Sequence, residues 1–143
     1  MNRLIYFFLF LGLAVGMVLF SYNEVKAEGI PYTGLIVDAT GVGLLPAMSP
    51  KIRDTEGNEV YGTLDVGCRI VEEFGVVHYA NTLKEALDLE DLVGEHPMVV
   101  QAVGGGLDPW KANPMVAPFD AKRILEADQV NGFLKDLRVV FVI

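Results

Sequence analysis

Three short apolar runs constrain this chain more than any other feature. Residues 34–39, 98–103 and 137–143 are rich in consecutive, often β-branched, apolar side chains, and turn signals bound them. Runs of this length and composition mark buried strands; they are too short to span a bilayer. The last run ends the chain inside a sheet. Between the runs the pattern changes. Residues 51–54 and 58–61 alternate around Thr55, Glu56 and Gly57, which predicts a β-hairpin. Residues 66–74 carry Ile70, Val71 and Phe74 on one face, with Asp65 placed to cap and Gly75 to terminate a short helix. Residues 76–80 form a further strand. Thr82 and Glu85 then make a capping box that opens a helix closed by Gly94 and barred from resuming by Pro97. Residues 104–113 are a glycine-rich loop. Residues 115–117, between Pro114 and Pro118, read as an edge strand, and Asp120 as the cap of a helix over 121–127. The order β-β-β-α-β-α-β-β-α-β predicts an α/β (α+β) domain: one mixed sheet with about three helices packed on it.

This domain is expected over residues 28–143, because the first 27 residues have the order of a secretory signal peptide. Arg3 precedes an uncharged run from Leu4 to Phe20. A polar stretch then leads to Val25, Lys26 and Ala27, with cleavage expected before Glu28. If uncleaved, the same run is close to the length of a membrane anchor. Both cases make the protein an exported one, of the periplasm or cell surface.

Charge and cysteine content narrow the partners. The formal net charge is −8; Arg3, Glu24 and Lys26 leave +1 in the first 27 residues, so the remainder carries −9. An acidic domain without a basic cluster repels nucleic acid and anionic headgroups. The single cysteine, Cys68, cannot form an internal disulfide and reads as a small buried hydrophobe.

The chain lacks a recognisable catalytic constellation. Of the two histidines, His78 alternates with apolar residues and His96 precedes a proline, and neither sits beside a nucleophile motif. Two histidines and one cysteine far apart in sequence do not make a zinc site. The acidic turn from Asp54 to Glu59 lacks the ligand spacing of a calcium loop and reads as a solvated turn. Glu72 with Glu73, and Glu90 with Asp91, are helix neighbours that diverge by ~100°. Gly41 and Gly43, and Gly104 to Gly106, lack the helix start that a phosphate loop needs. No catalytic residue, cofactor or metal is therefore expected. The candidate interaction residues are Trp110, Asp108 and Pro109, on the loop after the 98–103 run. A loop tryptophan either anchors an interface or caps a core edge.

Residues 32–39, then Pro46, Ala47, Met48, Ser49, Pro50, Lys51 and Ile52, then Asp54 to Gly62, resemble a segment of small bacterial envelope proteins of the twenty-kilodalton lipoprotein family. The flagellar-assembly T-protein group is a related comparison, and residues 76–86 and 113–143 look similar too. The resemblance implies an envelope location and a structural or assembly role, and it brings no catalytic residues. Cys68 lies too far along the chain to be a lipobox cysteine, so lipid anchoring is not carried over.

The expected function is an exported, non-enzymatic envelope protein with a structural, assembly or protein-interaction role. Its partner would be an envelope or flagellar-type protein, or a second copy. The alternatives are a small-ligand or polysaccharide-binding module built on Trp110 and residues 104–113, and a carboxylate-dependent hydrolase assembled by the fold.

Overall fold

The computed structural model describes residues 29–62, 75–105 and 108–143. The signal segment, the helix expected over 66–74 and Cys68 lie outside the described residues.

The 34–39 run becomes the centre of the molecule. Strand β1 (Gly34–Asp38) lies between two parallel neighbours, β5 (Pro97–Gly105) and β7 (Val139–Val142), so the three apolar runs pair with one another. Leu35, Ile36 and Val37 have no solvent exposure, and neither do Val139, Val140, Phe141 and Val142. Consecutive buried residues require cover on both faces of the sheet. Fully burying one such side chain is worth about 1.5–3 kcal/mol.

Four further strands complete the sheet: β2 (Ile52–Asp54), β3 (Glu59–Tyr61), β4 (His78–Ala80) and β6 (Pro114–Val116). Among the described residues the order is β3-β2-β6-β5-β1-β7-β4. β4, β7, β1 and β5 run parallel, β6 is antiparallel to β5, and β2–β3 is the antiparallel hairpin foreseen from the alternation. The sheet is therefore mixed, as expected.

β5 joins the two halves. Its first five residues pair with β1, and its later residues pair with β6 past an irregularity between Ala102 and Gly104. A bulge of this kind bends a strand and increases its twist. Opposite edges of the sheet share one core, which holds Val60 and Tyr61 of β3 and has Tyr79 of β4 packed against it. The Tyr61 hydroxyl on edge strand β3 donates to the carbonyl of Val76, two residues before the other edge strand. Burial raises the Tyr61 pKa well above its usual value, so the phenol stays a donor.

Helices lie on both faces. Helix α1 (Leu83–Asp88) and the single turn α2 (Glu90–Val93) cover Ile36, Ala80, Val140 and Val142. Helix α3 (Pro118–Asn131) brings Ala121 and Ile124 to the opposite face, over Leu35, Val37, Met98, Val116 and Phe141. Four expectations are corrected. The helix opened by Thr82 is not continuous to Gly94 but breaks at Leu89, so Leu89, Leu92 and Val93 all reach the second cluster. Its Glu85 carboxylate reaches past Thr82 to accept from the backbone N–H of Asn81, while the Glu85 N–H donates to the Thr82 hydroxyl oxygen as expected. Helix α3 starts at Pro118, whose fixed φ and missing N–H suit the first helical position. Asp120 thus sits within the first turn, paired to Arg123 at 2.9 Å, and does not cap. The expected edge strand lies instead between β2 and β5; Pro114 occupies its first position, where a proline is tolerated.

Two glycines fix how α2 meets β1. A Cβ on Gly34 would lie 2.6 Å from the Val93 carbonyl oxygen, and Gly94 has φ 77° with Thr33 directly against it. Gly34→Ala should cost about 1–3 kcal/mol in urea unfolding. Gly29→Ala, with nothing within 4 Å, should be neutral in the same experiment.

Candidate functional site

The hairpin loop between β5 and β6 carries the candidate residues Asp108, Pro109 and Trp110. The Lys111 N–H donates to the Asp108 carbonyl at 3.2 Å, which makes 108–111 a β-turn with Pro109 and Trp110 at its centre. The Asp108 carboxylate closes the turn from inside: its Oδ2 accepts from the Ala112 N–H at 3.0 Å. Its Oδ1 is buried and has no hydrogen-bond partner. Lys111 takes the left-handed conformation, φ 52°. Its carbonyl accepts from the Leu45 N–H at 2.9 Å, and the Asn113 side chain accepts from the Lys51 N–H at 2.7 Å. The turn is thus tied twice to the β1–β2 connection.

These ties hold a side chain that the fold itself does not use. Trp110 is 77% exposed and Leu45, on the adjoining loop, is 56% exposed. Trp110 therefore does not cap a core edge. It stands in solvent at the tip of a fixed turn, with exposed Pro109 beside it. The loop is shorter than expected, since Gly104 and Gly105 belong to β5.

The other chemical candidates are occupied or dispersed. Asp54 is consumed by its own turn: Oδ1 accepts from the N–H groups of Glu56 and Asn58, and Oδ2 from the Asn58 amide, all at 2.8–2.9 Å. The Asn58 side-chain bond, aided by the backbone donors, holds the Asp54 pKa below its usual value. His78 is exposed on β4, while the His96 ring stacks on Tyr32 with centroids 4.9 Å apart. Glu90 and Asp91 are exposed in the first turn of α2. Gly41 and Gly43 both have positive φ and shape a turn after β1. Among the described residues, no three His, Cys, Asp or Glu side chains are grouped to hold a metal, and no helix is long and apolar enough to cross a membrane.

The opposite end of the parallel strands holds a cleft of about 240 Å³ lined by Thr33, Asn131, Phe133, Asp136 and Arg138. Sequence reasoning missed it. Its walls come from Thr33 and from four residues between 131 and 138, which the β1–β7 pairing and the Asn131 to Tyr32 bond bring together, and nothing in their spacing signals a site.

With this geometry in place, the family can be given. The chain belongs to the family described as the second domain of Treponema pallidum Tp0624, whose model matches residues 34–143. The match starts at the first residue of β1 and ends at the last residue of the chain. Among curated proteins none matches.

Two outcomes follow for these turns. Trp110→Ala should change stability by less than about 0.5 kcal/mol, whereas Asp108→Ala should cost about 1 kcal/mol through the lost bond to Ala112, both read by urea unfolding. Asp54 has a folded pKa below its unfolded one, so its contribution is present above the unfolded value and is lost as pH falls through the folded value. An acid titration should show this loss in the native protein, and the Asp54→Asn variant should lack that part of the pH dependence.

Proposed function

We propose that this protein is an exported, non-enzymatic module of the bacterial envelope that works by holding another protein, with the Trp110 turn as its principal contact. One observation carries the reading: a large aromatic side chain, about three-quarters exposed, on a turn closed by Asp108 and tied to the β1–β2 connection. Tryptophan on a pre-ordered tip gives large contact area with little ordering cost, which is how interface hot spots work. Leaving it in water has no benefit for folding. The signal-like order of the first 27 residues supports export. The likeness to small envelope lipoproteins and flagellar-assembly proteins supports an assembly role. The family is described as the second domain of a larger protein, which suits a module that works beside other domains.

The acidic charge shapes the partner. With −9 on residues 28–143, the surface repels polyanions and favours a protein of neutral or basic surface.

The test is recovery of a C-terminally tagged full chain from crosslinked native cells, followed by mass spectrometry. The expected result is a crosslinked envelope protein, or a second copy, that falls about tenfold or more in the Trp110→Ala variant. Phe119→Ala, which removes an aromatic 72% exposed on α3, should leave recovery unchanged. Equal recovery with Trp110→Ala, or the chain alone, would contradict the proposal.

A further inference from the structure

We propose that the cleft at the amino ends of β1 and β7 binds a small zwitterion, a molecule of amino-acid size with one carboxylate and one ammonium group. It lies at the far end of the strands from Trp110, because Thr33 and Arg138 precede parallel strands whereas Asp108 follows one.

Arg138 supplies the positive charge. Its guanidinium offers five donors in a planar fork. The structure uses one of them, in a long contact of 3.5 Å to the Thr33 carbonyl. Among the described residues Arg138 makes no ion pair, although the residue is half-buried. Arg138 lines the cleft, and a carboxylate is the group that matches that fork.

Asp136 supplies the opposite charge. It lines the same cleft and makes no ion pair with Arg138 or any other described residue. The segment between them is held in place. The Leu137 N–H donates to the Leu134 carbonyl at 3.1 Å and the Arg138 N–H to the Phe133 carbonyl at 3.0 Å, with Leu137 itself at φ 58°. A non-glycine residue in that region is uncommon and persists only where the surroundings enforce it. Two opposite charges are thus kept on one cleft without neutralising each other.

The remaining walls fit the same ligand. Phe133, 1% exposed, closes the cleft from the core side. The Thr33 hydroxyl is already used, donating to the Val93 carbonyl at 2.7 Å and accepting from the His96 N–H at 3.0 Å. Asn131 donates to the Tyr32 carbonyl at 2.8 Å, which leaves its amide oxygen to accept from an ammonium. The volume, about 240 Å³, is below the range of drug-sized sites. Net charge favours the zwitterion over a free anion: the anion would meet Asp136 and an acidic domain, whereas a zwitterion adds no net charge.

The full chain, ¹⁵N-labelled and kept in detergent micelles, is titrated with L-alanine, propionate and ethylammonium while amide resonances are followed. L-alanine should shift the signals of Asn131, Phe133 and Arg138 with a dissociation constant on the order of 1 mM. Propionate and ethylammonium should each bind about tenfold or more weakly. Arg138→Gln and Asp136→Asn should each weaken L-alanine about tenfold, and Lys135→Gln, outside the cleft, should not. The comparison of the three molecules uses the unaltered protein, so it stands even where a variant fails to fold. No shift of those signals at about 50 mM L-alanine, or equal binding of either half-molecule, overturns the proposal.

Discussion

Everything in this fold depends on β1 being buried on both faces. Leu35 and Val37 point into one cluster and Ile36 into the other, and all three are sealed from water. That requirement places a parallel neighbour on each side and helical cover above and below. It also sets the contact with α2, where Gly34 leaves room for the Val93 backbone. β5 by contrast alternates, with Met98, Val100 and Ala102 buried and Val99 and Val103 exposed.

Much of this was legible in the residues. Continuous apolar runs gave β1 and β7 because burial on both faces removes the polar alternation. The β2–β3 hairpin followed from its glycine-bearing turn, and Thr82 from its cap chemistry. The errors have local causes. The break at Leu89 has no helix-breaking residue, and it is set by what Leu89, Leu92 and Val93 must cover. The start of α3 was misplaced because an aspartate outweighed a proline that sits comfortably at the first helical position. The internal place of β6 depends on a long-range partner, β2, that no local pattern encodes.

The candidate sites divide in the same way. Trp110 stood out in the sequence because a tryptophan among glycine and proline has no core to join. What the sequence could not provide was the frame: Asp108 closing the turn, and the Lys111 carbonyl accepting from Leu45 across two connections. The Arg138 cleft was invisible because its walls are separated by about a hundred residues, as in the Arg138 to Thr33 contact with a separation of 105. The two features occupy opposite ends of the parallel strands, so a partner at one does not block the other.

Coverage of Trp110 by a partner in the cell is directly measurable, because the chain has a single tryptophan. Oxidative footprinting, read by mass spectrometry on the peptide containing Trp110, compares intact cells with the purified protein. Trp110 should oxidise rapidly in the purified protein and be strongly protected in cells, with exposed Phe119 equally reactive in both. Equal oxidation of Trp110 in the two settings would contradict that coverage.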